Sequence, residues 1–432
     1  MSKLIFALNY TLLEQILSPF LWILSSVKEG CNYKSSFQAK NMNDYFRTEI
    51  ELHHSILGAM SHRWALNMFF FVNGLIFANW ATRLPQLQTG YDLEHDTLGF
   101  ILLSHAIGAF IAMPITGWLI GNYGSIKITI LSGMLFPLFF VIIPWMPSYY
   151  FLFLPFLFMG AATGVMDVAM NAQAVLVEKQ LGKPVMTMFH ALFSIGMVVG
   201  GLCGGYFATQ NIGLKEHFGI IMIIGLPILL FTGRYLYRDQ PDVKPEKVRF
   251  VLPKGVIVGL GVIAFCCMMG EGAMSDWSTL YMKDVVQAPL SWQTFGLTGF
   301  AAAMTVGRLF GDNGRIIIGN RKMMIYGAIL SLFGMGFILY GTSPVLVIVG
   351  FAGVGLGLSN IVPIVYSLAG TTPGIPSGEG IAMATTIGYS GFMFGPPLIG
   401  WVADISSLWY SLAMLTGLFG VMMVLVLRYR SV

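Results

Sequence analysis

The sequence predicts an all-α membrane protein of twelve transmembrane helices, built as two six-helix halves related by pseudo-symmetry. Three observations predict it. Of 432 residues, 56% are hydrophobic and only 10% are charged, whereas a water-soluble domain carries about a quarter charged residues. Twelve apolar runs, each near the roughly 20 residues that cross a bilayer, follow one another from Arg63 onward. The longest charged, proline-bearing stretch falls between the sixth run and the seventh.

The predicted spans of the first half are 63–82, 97–120, 127–146, 149–177, 184–208 and 217–237. Those of the second are 255–281, 291–311, 322–341, 344–368, 379–402 and 407–428. Four segments result: an extension at 1–61, a first half at 62–237, a linker at 238–254 and a second half at 255–432. The extension is expected to be dispensable. Its apolar stretch from Leu4 to Val27 is broken by Asn9, Glu14, Gln15 and Pro19, and no small-residue cleavage site follows it.

Basic residues set the expected orientation. With Arg63 in the cytoplasm, sixteen Lys and Arg, Arg308 among them, fall on the cytoplasmic side. Only Arg83, Lys215 and Lys283 fall outside. That asymmetry follows the positive-inside rule, and it places both ends of the bundle in the cytoplasm and the chain in the inner membrane. Cys31, Cys203, Cys266 and Cys267 show no metal-ligand spacing and no disulfide framework. No metal, cofactor or nucleic-acid partner is expected.

Charged groups inside a span cost about 2.5–3.5 kcal/mol at mid-helix, so those present need a partner or a water-filled cavity. Asp167 lies well inside the fourth run with Asn171 one turn on, on the same face. It reads as a proton-carrying carboxylate, or else as one fixed structurally by Asn171 or His190. His190 opens the fifth run and can relay a proton, hydrogen-bond a hydroxyl, or simply join two helices. Glu271 is the deeper acid of the seventh run, a candidate for proton coupling and for substrate contact. Asp276 lies nearer the external end. Asn73, Asn79 and Trp80 in the first run, Asn171 in the fourth, and Asn360 beside Pro363 in the tenth, add candidate substrate contacts.

Two loops repeat. After the second run comes GWLIGNYGSIK, with Gly117, Gly124 and Lys127. After the eighth comes GRLFGDNGRIIIGNRK, with Gly307, Arg308, Gly311, Asp312, Gly319 and Arg321. Glycines permit a tight turn at the membrane face, and the basic residues can cap helix C-termini, so both are candidate gating loops. From about residue 62 to 430 the chain resembles the major facilitator superfamily, whose signature loop between helices 2 and 3 reads G-x-L-x-D-x-x-G-x-x-K/R. The first copy has Gly121 where the acid is expected, and the second keeps Asp312. Within that superfamily, GAATGVMDVAMNAQ (Gly160 to Gln173) and TMFHALFSIG (Thr187 to Gly196) resemble the fucose–proton symporter branch. Asp167, Asn171 and His190 occupy positions matching its polar residues in helices 4 and 5. The helix 1 aspartate of that branch has no counterpart in FANWATRLP (Phe77 to Pro85). The segment GEGAMSDWSTLYM (Gly270 to Met282) is similar to uncharacterised bacterial transporters related to MosC.

The resemblance implies a secondary active transporter working by alternating access, with runs 1, 4, 7 and 10 lining a central cavity. The expected function is proton-coupled movement of a small polar solute, a sugar or polyol, by a monomer in the lipid bilayer. Efflux of a drug or metabolite stays open. The absence of a proline among Gly196, Gly200, Gly201, Gly204 and Gly205 of the fifth run weighs against drug efflux. A membrane sensor that binds without transporting also stays open. No nucleotide-binding loop, HExxH motif or GxSxG elbow appears where it could act, so an enzyme is not expected.

Overall fold

The computed structural model describes residues 42–182, 185–238, 255–373, 375 and 377–429, and the predicted linker at 239–254 lies outside them. Chain contacts separate Met1–Ser55, of which residues 42–55 are described and helical, from Ile56–Val432, which holds the bundle. The predicted extension is therefore described only from residue 42.

Twelve long helices account for the described bundle. They are α1 (Met42–Ala81), α2 (His95–Tyr123), α3 (Ser125–Ile142), α4 (Phe153–Leu181), α5 (Met186–Thr209) and α6 (Leu214–Gly233). The second six are α7 (Val256–Asp284), α8 (Phe295–Ile318), α9 (Asn320–Tyr340), α10 (Pro344–Gly370), α11 (Ser377–Ile405) and α12 (Leu408–Arg428). Ten of them are long and apolar enough to cross a membrane. The other two are α8, which carries Arg308, Asp312 and Arg315, and α11, rich in glycine, serine, threonine and proline. α1 begins well before the predicted span, and the part of it long and apolar enough to cross a membrane is Met60–Ala81.

Packing repeats after six helices. α4 packs on α2 and α3, and α3 on α6. Likewise α10 packs on α8 and α9, and α9 on α12. The backbones of α1 and α5 approach at Gly74, beside Phe193, and at Gly196, beside Phe71. Their counterparts α7 and α11 approach at Gly391, beside Phe265 and Met269. Across the halves, α2 runs along α11 and α5 along α8, and these two contacts exchange under the same shift of six. In a bilayer, where lipid is as apolar as leucine, small residues that let backbones close together supply this packing.

Turn geometry repeats too, at one glycine from each of the two repeated loops. Gly124, between α2 and α3, and Gly319, between α8 and α9, both have φ of 82°, with ψ of 152° and 157°. That conformation suits glycine and disfavours other residues. The second turn therefore stands at Gly319, not within Gly307–Asp312. Gly307, Arg308 and Gly311, which the predicted span 291–311 includes, lie inside α8 and not in the loop that follows it. Glycine there lets a neighbouring helix approach instead of reversing the chain: a Cβ at Gly307 would meet the Ser359 hydroxyl, and one at Gly311 the Asn360 side chain.

Gly160 tests the packing argument. A Cβ there would meet the carbonyl of His105 on α2, whereas Gly90 has open space around it. Gly160→Ala is expected to cost roughly 1–3 kcal/mol through overpacking, seen as a lower melting midpoint in detergent, with Gly90→Ala close to the parent protein.

Candidate functional site at the middle of the bundle

α4 places Asp167 at its midpoint, and α7, α8 and α11 place Glu271, Arg308 and Tyr389 close to theirs. Each of these side chains is half-buried. Asn171, one turn beyond Asp167, donates from Nδ2 to Asp167 Oδ1 at 3.1 Å and to the Asp167 carbonyl at 2.9 Å. From the other half, the Tyr389 hydroxyl donates to Asp167 Oδ2 at 3.2 Å. The carboxylate is thus held by one amide and one phenol. Among the described residues, no Lys, Arg or His lies within ion-pairing distance of it.

A second polar bridge also crosses between the halves, through Arg308. Its Nη2 stands 3.1 Å from Glu271 Oε1, a salt bridge between α8 and α7. Its Nη1 donates to Ser194 Oγ on α5, in the first half, at 2.9 Å. This corrects the assignment of Arg308 to a cytoplasmic gating loop, since it lies near the middle of α8 with its guanidinium on Glu271 and Ser194. Glu271, expected to contact protons or substrate, is engaged by that guanidinium.

Other expected site residues face elsewhere. Asn79 is fully buried and turned toward α6, where its Oδ1 meets His217 Nε2 at 2.6 Å, while its Nδ2 donates to the Leu75 carbonyl. Trp80 is 3% exposed and packs edge-on against Phe77 and Phe156, with His105 tilted over it. Asn73 is buried in α1. Asn360 stands at a break in α10, between Pro344–Leu358 and Ile361–Gly370, and donates from Nδ2 to the Gly307 carbonyl on α8 at 2.8 Å. It joins two helices beside Arg308. His190 is half-buried, with its ring edge-on to Phe70. Among the loop residues, Gly117 has open space around it, Lys127 is exposed, and Arg321 Nη2 donates to the Leu427 carbonyl, capping the C-terminus of α12. The side chain of Asp312 lies outside those described.

The two halves are latched where α2 begins and α7 and α11 end. His95 Nε2 stands 3.3 Å from Asp284 Oδ2, and its Nδ1 4.0 Å from Asp404 Oδ1. Its backbone N–H donates to the same Asp404 oxygen. A Cβ on Gly99 would stand 2.8 Å from the Pro396 carbonyl, so the backbones of α2 and α11 touch there. Arg83, 3% exposed, donates to the Ile212 carbonyl at 2.7 Å at this end of the bundle. Burial pushes its guanidinium down to about 10, which leaves it cationic at neutral pH.

Sequence reasoning missed Tyr389, Ser194 and the true place of Arg308. The signal available for Arg308 was its position between apolar residues that continue a helical run. For Tyr389 and Ser194 there was none beyond a polar side chain inside a span.

Residues 66–317, more than half of the chain, match the Major Facilitator Superfamily model. The chain belongs to the Major Facilitator Superfamily. It is therefore a multi-pass membrane protein of a transporter family. An uncharacterised MFS-type transporter of Yersinia pestis is 35% identical over 81% of this chain and 91% of its own length. The membrane protein MosC of Rhizobium meliloti is 32% identical over 78% of this chain and 82% of its own. Among solved structures, a point mutant of the nucleoside transporter NupG superposes with a TM-score of 0.69, covering 84% of this chain and 98% of that one at 12% identity. A bacterial homologue of the human lysosomal transporter Spinster, described as inward-facing and occupied, gives 0.67 at 13% identity, covering 84% and 95%. At such identities the two structures share the fold of this superfamily member, and no more is carried over from them.

Proposed function

We propose that this protein is a proton-coupled secondary transporter of a small polar solute of the sugar or polyol kind, with Asp167 as the proton carrier. The observation that supports this most is the setting of Asp167: mid-bilayer, bonded to Asn171 in its own half and to Tyr389 in the other, with no cationic partner among the described residues. An ionised carboxylate there is costly without a cation, and binding a proton removes that cost. Because Tyr389 belongs to the opposite half, the carboxylate senses the relative position of the halves. Rocking them would alternately make and break that bond, which is how a proton site becomes tied to alternating access.

The orientation follows from the basic residues. The face carrying Lys127 and Arg321 is cytoplasmic, in the inner membrane, and the face carrying His95, Asp284 and Asp404 is external. A latched external face and half-buried midplane side chains fit an inward-facing state. A monomer suffices, since the site is complete within one chain.

Counterflow in proteoliposomes tests the reading. Vesicles loaded with an unlabelled sugar or polyol that stabilises the purified protein should take up the labelled compound transiently, without a gradient. A ligand at about 100 times its Kd stabilises by about 2.7 kcal/mol, so a melting-shift panel of sugars, polyols, organic acids and cationic drugs finds the compound. Counterflow of lipophilic cations alone would favour efflux instead. Stabilisation without counterflow would favour a sensor.

A further inference from the structure

Three formally charged side chains stand close to the midpoints of their helices in the described bundle: Asp167 and Glu271, both within electrostatic reach of Tyr389, and Arg308, paired to Glu271. Arg308 is their one cation, and its two terminal nitrogens are directed at protein groups, Nη2 at Glu271 Oε1 and Nη1 at Ser194 Oγ. Its charge is cancelled by the carboxylate beside it. Asp167 is met by a phenol and an amide, neither of which carries a positive charge. An entering solute therefore meets a site that is neutral when Asp167 holds a proton and singly negative when it does not. Neither state attracts an anion, and the low effective dielectric between packed helices magnifies the difference.

We infer that Glu271 sets the charge selectivity of this site: by masking Arg308 it admits neutral hydroxylated solutes and turns away carboxylates and phosphates of the same size. The inference rests on the transporter reading for the word "solute", but it concerns the electrostatics of these side chains and can fail independently. Ser194 contributes from the opposite half by occupying the second nitrogen of the guanidinium. Without Glu271, Arg308 would present a fork suited to carboxylate or phosphate oxygens, and selectivity would invert.

The test uses small charged thiol reagents and needs no knowledge of the substrate. Single cysteines are placed at Thr163, one turn before Asp167, and separately at Tyr366 on α10. The parent is the full chain with its four native cysteines replaced by serine. Both chosen positions are half-buried. Rates are measured with a cationic trimethylammonium-ethyl methanethiosulfonate and with its anionic sulfonatoethyl counterpart. The ratio of the two is compared with that for a free thiol in the same buffer.

The cation-to-anion ratio is expected to exceed the free-thiol value several-fold in the parent, to fall about tenfold in Glu271→Gln and to rise in Arg308→Gln. In the Glu271→Gln protein alone, a sugar acid should raise the melting temperature more than the matched neutral sugar does. A parent ratio at or below the free-thiol value overturns the inference. So does a ratio that Glu271→Gln leaves unchanged, or a lack of reaction with either reagent at both positions. If Glu271→Gln fails to fold, the parent and Arg308→Gln measurements still decide. Lost counterflow with the expected ratios would remove the transporter reading and leave this one standing.

Discussion

Replacing Asp167 by asparagine is expected to abolish uphill accumulation while leaving exchange of the solute across the membrane within a few-fold of the parent protein. Asparagine has nearly the same shape. Its amide oxygen can accept from Asn171 or from Tyr389, so the bridge between α4 and α11 has a partner to keep. It cannot exchange a proton in the working range. Under an imposed difference of one pH unit, a carrier moving one proton per solute can sustain about tenfold accumulation, because one pH unit is about 1.36 kcal/mol. The parent should approach that ratio, and Asp167→Asn should stop at equal concentrations on both sides. Tyr389→Phe separates the proton from its reporter: it keeps the carboxylate and removes the bond across the halves, so accumulation should slow without vanishing. Accumulation by Asp167→Asn at the parent level would take proton coupling away from this residue.

The fold was legible because lipid imposes a simple rule. Backbone groups in hydrocarbon must be satisfied within a helix, so every span announces itself as an apolar run. Eleven of the predicted spans lie close to observed helices at both ends or overlap them almost fully. The eighth shows where the rule fails. The predicted span stops at Gly311, before Asp312, yet α8 continues to Ile318, because glycine in a membrane helix can serve close packing as readily as a turn. Only the backbone angles at Gly319 show which glycine reverses the chain. Asp167 was legible for the same reason as the spans, since a carboxylate among apolar residues stands out. Its partner Tyr389 was not, because a tyrosine in a span is ordinary and its bond depends on how α11 is set against α4. Asn79 and Asn360 show the converse limit. An intramembrane amide announces a hydrogen bond but not its direction, and here one turns to His217 and the other to the Gly307 carbonyl.

Breaking the Glu271–Arg308 pair from one side is expected to be among the most damaging single changes in the protein, and neutralising both sides much less so. The Glu271 and Arg308 side chains are 18% and 15% exposed, so removing either partner leaves the other in surroundings that solvate it poorly. For buried pairs such a loss is typically about 3–5 kcal/mol, while exchanging both partners for uncharged residues can be close to neutral. Glu271→Gln and Arg308→Gln should each lower the melting temperature substantially. The double variant should recover most of the loss, giving a coupling energy well above the few tenths of a kcal/mol expected of independent sites. The two single variants should also differ. Arg308→Gln loses the contact with Ser194 on α5 as well, and so loosens the seam between the halves. Glu271→Gln leaves that seam and frees only the charge. A double-mutant cycle in detergent, repeated with Ser194→Ala in each background, separates the two effects. If Ser194→Ala costs nothing in the parent, the guanidinium is held by Glu271 alone. If the single variants melt with the parent, the pair adds nothing to stability, and its place at the middle of the bundle is left to its effect on which solutes enter.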